Sequence, residues 1–138
     1  MKRIFPLFAL FILLLSSCNK DEPVVDIRDK YVGNYSATMS WYDGGSLLTH
    51  DYEFTVTRSS LYDDGLIFSN FADYGASVIV FLEYDRFTIP HQIIQDQEGF
   101  IYGIIGSGEF VTNHRMQFTF QESDVGYLYN ISVVADKQ

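Results

Sequence analysis

Few residues of this sequence carry reactive groups, and their spacing limits the chemistry they can do. His50, His91 and His114 stand about forty and about twenty residues apart, far from the His-x-Glu or His-Glu-x-x-His spacings that gather zinc ligands. They read as solvated or hydrogen-bonded side chains, with convergence from separate strands as the alternative. Gly103, Gly106 and Gly108 lie in the run GIIGSGEF. This run is neither G-x-G-x-x-G nor a G-x-S-x-G elbow around Ser107, and no helix follows to receive a phosphate. Asp43, Asp63 and Asp64 lie beside glycines without the distal glutamate of a calcium loop, so turn chemistry explains them. Glu53, Glu83, Glu109 and Glu122 are the carboxylates available for acid–base cleavage of a glycoside, but the sequence places no two at the required separation. The expectation is a protein that is not an enzyme, with no metal site and no cofactor.

One nucleophile is placed more tellingly. Cys18 is the only cysteine, so no internal disulfide is possible. It sits between the apolar run Ile4 to Leu15, which follows Lys2 and Arg3, and the acidic pair Asp21-Glu22. As a helix that run reaches about 18 Å, short of the roughly 30 Å of bilayer hydrocarbon. It has no polar face for a core helix, and reads as a secretory signal. Leu15-Ser16-Ser17-Cys18 resembles a bacterial lipobox. The resemblance implies loss of residues 1–17, a diacylglycerol thioether on Cys18, and acylation of the new amine. Two or more acyl chains make such an anchor durable. Asn19-Lys20-Asp21-Glu22 resembles the Lys-acid-acid signal of Bacteroidetes surface lipoproteins. That implies a lipid-anchored place on the outer membrane, at the cell surface, with its periplasmic face as the alternative.

Eighteen acidic residues against nine basic ones give a formal net charge of −9. Such a surface repels phosphate backbones, which argues against a nucleic-acid partner. It is also repelled by anionic headgroups, so the anchor at Cys18 must do the membrane work. One domain fits the length. The expected division is a signal peptide over 1–17, the lipidated cysteine and an acidic linker over 18–29, and a β domain over 30–138.

Those residues must be positioned mostly by strands. From Tyr31 onward polar and apolar residues alternate. Tyr35, Ala37, Met39 and Trp41 alternate with serine and threonine, and Tyr52, Phe54 and Val56 do likewise. Asp43-Gly44-Gly45 and Asp64-Gly65 mark hairpin turns. LIFSNF and SVIVFLEY follow, separated by Ala72 to Gly75. Pro90 is expected to stop a strand or mark an exposed edge. The glycines at 103, 106 and 108 are expected to ease a bend. Helical spacing is limited to about one turn at Val25 to Lys30. About eight strands joined by short hairpins predict an all-β, antiparallel, up-and-down barrel, in which closure protects the edges; a β-sandwich is the alternative.

KYVGNY, Lys30 to Tyr35, resembles the opening of calycin-type barrels, with Tyr35 where lipocalins usually carry Trp. YVGNY, IFSNF, FTIPHQ, GSGEF and MQFTF together resemble small Bacteroidetes outer-membrane lipoproteins with a lipocalin-like domain. The resemblance spans residues 30–135 and implies a fold and an address. It brings no established reaction.

What remains is binding. An eight-stranded barrel is either filled by its own side chains or holds one small ligand. Trp41, Phe54, Phe68, Tyr127 and Tyr129 are the candidate walls for a small apolar or amphipathic ligand. Tyr42, Tyr62 and Tyr74 lie at turns and are candidates for a rim that engages a surface protein or glycan. The second reading makes the domain an interaction module or accessory subunit of a surface complex.

Overall fold

A computed structural model describes residues 23–138, so the leader and Cys18 lie outside the described residues. A single 3-10 turn, Ile27–Lys30, precedes eight strands: β1 Gly33–Asp43, β2 Ser46–Arg58, β3 Gly65–Phe71, β4 Ala76–Glu83, β5 Arg86–Gln95, β6 Ile101–Thr112, β7 Arg115–Asp124 and β8 Tyr127–Lys137. Each pairs antiparallel with the next, and β8 returns to β1, closing an up-and-down barrel rather than a sandwich.

The alternation in the sequence becomes inside and outside. On β7, Met116, Phe118, Phe120 and Glu122 point inward and are buried, whereas Arg115, Gln117, Thr119, Gln121 and Ser123 are exposed. A membrane-spanning barrel has the reverse pattern, apolar outside and polar within. This wall faces water.

The barrel's middle is filled. Phe118 lies against Phe54, Phe68, Phe71, Phe87 and Phe120, with ring centroids 5.9–6.4 Å apart. Gly106 and Gly108 stand opposite Phe120 and Phe118 on β7. A Cβ on Gly108 would come within 2.3 Å of the Phe118 Cβ, and one on Gly106 within 2.3 Å of the Thr119 carbonyl. At both positions the close approach of β7, through its backbone and Cβ atoms, leaves no room for a side chain.

Turns divide the molecule into two ends. Gly44 and Gly45, with φ of 56° and 84°, make the tight β1–β2 hairpin as expected. Asp64-Gly65 makes no such hairpin. Residues 59–64 form a longer loop whose carbonyls gather around Arg28. The Arg28 guanidinium donates to the carbonyls of Ser59, Tyr62 and Gly65 at 3.2, 2.7 and 3.1 Å, and pairs with Asp26 at 2.6 Å. Tyr31 stacks on Phe110 at 3.7 Å between centroids, and its carbonyl accepts from the Tyr35 hydroxyl at 2.8 Å. Residues 26–29, read from sequence as linker, are therefore part of the domain and close one end of it. Sequence spacing missed this because the partners of Arg28 are carbonyls, which carry no side-chain signal.

Pro90 does not stop its strand, but it does mark an edge, since the ladder to the preceding strand ends at Thr88. It lies within β5, where the register shifts between Ile89 and Gln92, a bulge that tolerates the missing N–H. β4 and β5 pair only over Phe81–Glu83 and Arg86–Thr88. Beyond them the Gln92 amide bridges the gap, accepting from the Ile79 N–H at 2.9 Å and donating to its carbonyl at 2.7 Å.

Candidate functional site

The opposite end, at the β1–β2, β3–β4, β5–β6 and β7–β8 connections, is open. There the inward rows of β1, β7 and β8 run past the phenylalanine core to Trp41, Glu122 and Tyr129. Met39 and Trp41 of β1, Glu122 of β7, Tyr129 and Ile131 of β8, and Tyr74 of the β3–β4 loop line an open pocket of about 140 Å³. That is roughly five waters' worth of space at about 30 Å³ each.

Tyr74 is held over this mouth by a strained loop. Asn70, Ala72 and Asp73 have φ of 61°, 51° and 64°, a left-handed region costly for residues other than glycine. Side-chain bonds hold the loop there. Asn70 donates to the Glu53 carbonyl at 2.7 Å and accepts from the Gly75 N–H at 2.9 Å. Asp73 pairs with His50 at 2.9 Å, which draws its carboxyl below the usual range. Tyr74 then stacks on Tyr102 at 5.0 Å between centroids, and its hydroxyl donates to Glu122 Oε2. Tyr102 donates to Asp96 at 3.1 Å.

Glu122 is 6% exposed. Burial raises its pKa above the usual carboxylate value; the Tyr74 hydrogen bond opposes that rise, and the nearby charge of Asp124 adds to it. Burial also raises Tyr74, with Glu122 adding to the effect. Tyr102 is pushed up to about 12, by burial first and then by its bond to Asp96. A buried carboxylate beside aromatic walls can select a ligand by charge.

The long-range electrostatics have a sign. Among the described residues every lysine and arginine stands at the closed end: Arg28 and Lys30 in the 3-10 turn, Arg58 ending β2, Arg86 opening β5, Arg115 opening β7 and Lys137 near the end of β8. The mouth carries Asp43, Asp73, Asp96, Glu98, Glu122 and Asp124.

The proposed ligand walls separate in space. Phe54 and Phe68 are buried in ring contact with the core and present no face to a ligand. Trp41 and Tyr129 line the mouth pocket. Tyr127 continues the inward row but is 66% exposed at the strand's start, stacked on Tyr129 at 6.3 Å. Of the proposed rim, Tyr42 is 69% exposed on the β1–β2 hairpin. Tyr62 sits at the closed end, edge-on to Phe81, and Tyr74 turns inward rather than outward. Sequence reasoning grouped Glu122 with three carboxylates that lie elsewhere. Glu53 sits on the outer face, and Glu83 and Glu109 stand near the closed end. The missed signal was its place in the inward row Met116, Phe118, Phe120. The histidines do not converge, with His114 in the β6–β7 turn and His50 on β2 paired to Asp73.

No protein-family model matches this sequence, and none of the curated proteins does. Solved structures share the fold. A redesigned beta barrel matches with a TM-score of 0.56 at 13% identity, over 85% of this chain and 99% of its own. EF1p2_mFAP2b, solved bound to DFHBI, matches with a TM-score of 0.57 at 13% identity, over 82% and 98%. A candidate outer membrane protein from Bacteroides fragilis matches with a TM-score of 0.53 at 18% identity, over 82% of this chain and 53% of its own. At these identities the likeness is one of fold.

Proposed function

We propose that this chain is a non-catalytic, lipid-anchored outer-membrane protein that binds a small molecule at the mouth of its barrel. One observation carries the reading: an open pocket with aromatic and aliphatic walls and a buried carboxylate, set above a filled core. The ligand thus sits in the mouth rather than deep among Phe54 and Phe68. The lipobox-like Leu15-Ser16-Ser17-Cys18 supplies the anchor in this reading. Residue 23 onward enters the barrel at its closed end, so a tether through Cys18 turns the mouth away from the membrane and toward solutes. The barrel of EF1p2_mFAP2b, bound to DFHBI, supports the idea that a fold of this kind accommodates a small ligand.

Native mass spectrometry of the protein purified from its own cells tests the binding. A co-purifying small molecule, lost in Trp41→Ala, is the expected result; an unloaded protein from every preparation overturns it. Cys18→Ala tests the anchor, since the variant should leave the membrane fraction.

A second reading rests on a separate observation. Tyr42 and Leu47 on the β1–β2 hairpin, Phe100 and Ile101 at the β5–β6 loop, and Leu128 of β8 are all more than half exposed around the mouth. Such outward apolar side chains fit an interaction module of a surface complex. A cross-linked partner lost in Tyr42→Ser would favour it.

A further inference from the structure

We propose that the mouth pocket is a site for a small organic cation, an alkylammonium group held by the Glu122 carboxylate and the aromatic faces of Trp41, Tyr74 and Tyr129. The inference rests on the mouth-binding reading above and names its ligand class.

Three features converge. Glu122 is buried, lines the pocket, and among the described residues receives one side-chain hydrogen bond, from Tyr74 to Oε2. Its Oε1 is free to accept from an ammonium N–H or to lie against a quaternary methyl group. Three aromatic side chains share the same small space, and ring faces attract cations through their quadrupoles, most strongly tryptophan. The Met39 thioether and Ile131 complete a lining suited to alkyl substituents. The charge distribution supplies the third feature. With every described lysine and arginine at the closed end, none of them competes for Glu122, and the carboxylates around the mouth draw positive solutes toward it. An anion would meet repulsion from Asp96, Glu122 and Asp124 together. An uncharged ligand would leave Glu122 buried without a counter-charge, an unfavourable arrangement. The pocket volume matches a headgroup rather than a large ligand.

Trp41 is the only tryptophan in the chain, so its emission reports the pocket directly. The full chain, held in a non-ionic detergent, is titrated with neopentylamine and with neopentyl alcohol, which share a hydrocarbon body and differ in charge. Sodium chloride at matched ionic strength is the control. The expected result is that the amine changes Trp41 emission and binds about tenfold more tightly than the alcohol. In Glu122→Gln the two affinities should fall within about threefold of each other, because the amide still accepts from Tyr74 without carrying charge. Equal binding of both probes to the wild-type protein overturns the cation proposal and leaves mouth binding standing. No binding of either probe overturns both. The wild-type comparison needs no variant, so a Glu122→Gln chain that fails to fold does not blunt the test.

Discussion

The two ends of this barrel are built from the same hairpins and solve opposite problems. At the closed end, Arg28 satisfies three loop carbonyls while Asp26 neutralises it, and Tyr31 lies flat on Phe110. Among the described residues no buried side-chain nitrogen or oxygen there lacks a partner, and basic residues stand among acidic ones. At the mouth, strained backbone holds a tyrosine against a buried carboxylate, and no described basic residue offsets it. Local stability is spent at the mouth and recovered at the base. The difference teaches that closure and reception are separable in a barrel whose middle is solid, because the phenylalanine layer isolates one end from the other.

Removing that layer should break the comparison most severely. Phe118→Ala deletes the ring that touches five others, and should cost about 3–5 kcal/mol of unfolding free energy in denaturant titration. It should also join the mouth to a new internal cavity. Arg28→Ala comes next, at about 2–3 kcal/mol, since three carbonyls lose a shared donor; amide exchange should rise first in residues 59–65. Trp41→Ala sharpens the contrast from the other side. A partly buried mouth residue packed against the core should cost about 1–2 kcal/mol in stability, while eliminating the small molecule that co-purifies in native mass spectrometry.

Acid should separate the ends by sign. Asp26 is held well below its ordinary value of 3.8, chiefly by its hydrogen bonds with Arg28. Its contribution to stability is present above that value and is lost as pH falls below it. Glu122 is raised above its ordinary 4.5 by burial. Its contribution is present below 4.5 and is lost as pH rises through the shifted value. Thermal melts should therefore show the advantage of wild type over Asp26→Asn vanishing in acid. Glu122→Gln should instead gain on wild type as pH climbs toward neutrality. Equal pH profiles for the two variants would dissolve the distinction. The smallest effect belongs to Tyr42→Ser, whose exposed ring should change stability by no more than about 0.5 kcal/mol.

Period-two alternation, glycine turns and the absence of a helical stretch pointed to about eight strands and favoured a barrel over a sandwich, because a strand's side-chain alternation is a local property of the backbone. The same alternation already placed Glu122 in an inward row, where its type alone disguised it. Other features depended on partners distant in sequence. Arg28 finds its acceptors more than thirty residues away, on backbone atoms common to every residue type. The inward turn of Tyr74 follows from left-handed φ values that Asn70 stabilises across to β2, and the glycine pair at 106 and 108 meets the backbone and Cβ atoms of the next strand at close approach. Composition and spacing thus determined the wall of this protein and the net sign of its charge. Only the closed structure decided which end is sealed, where the charges of each sign collect, and which carboxylate is withdrawn from water, because those depend on contacts that closure alone creates.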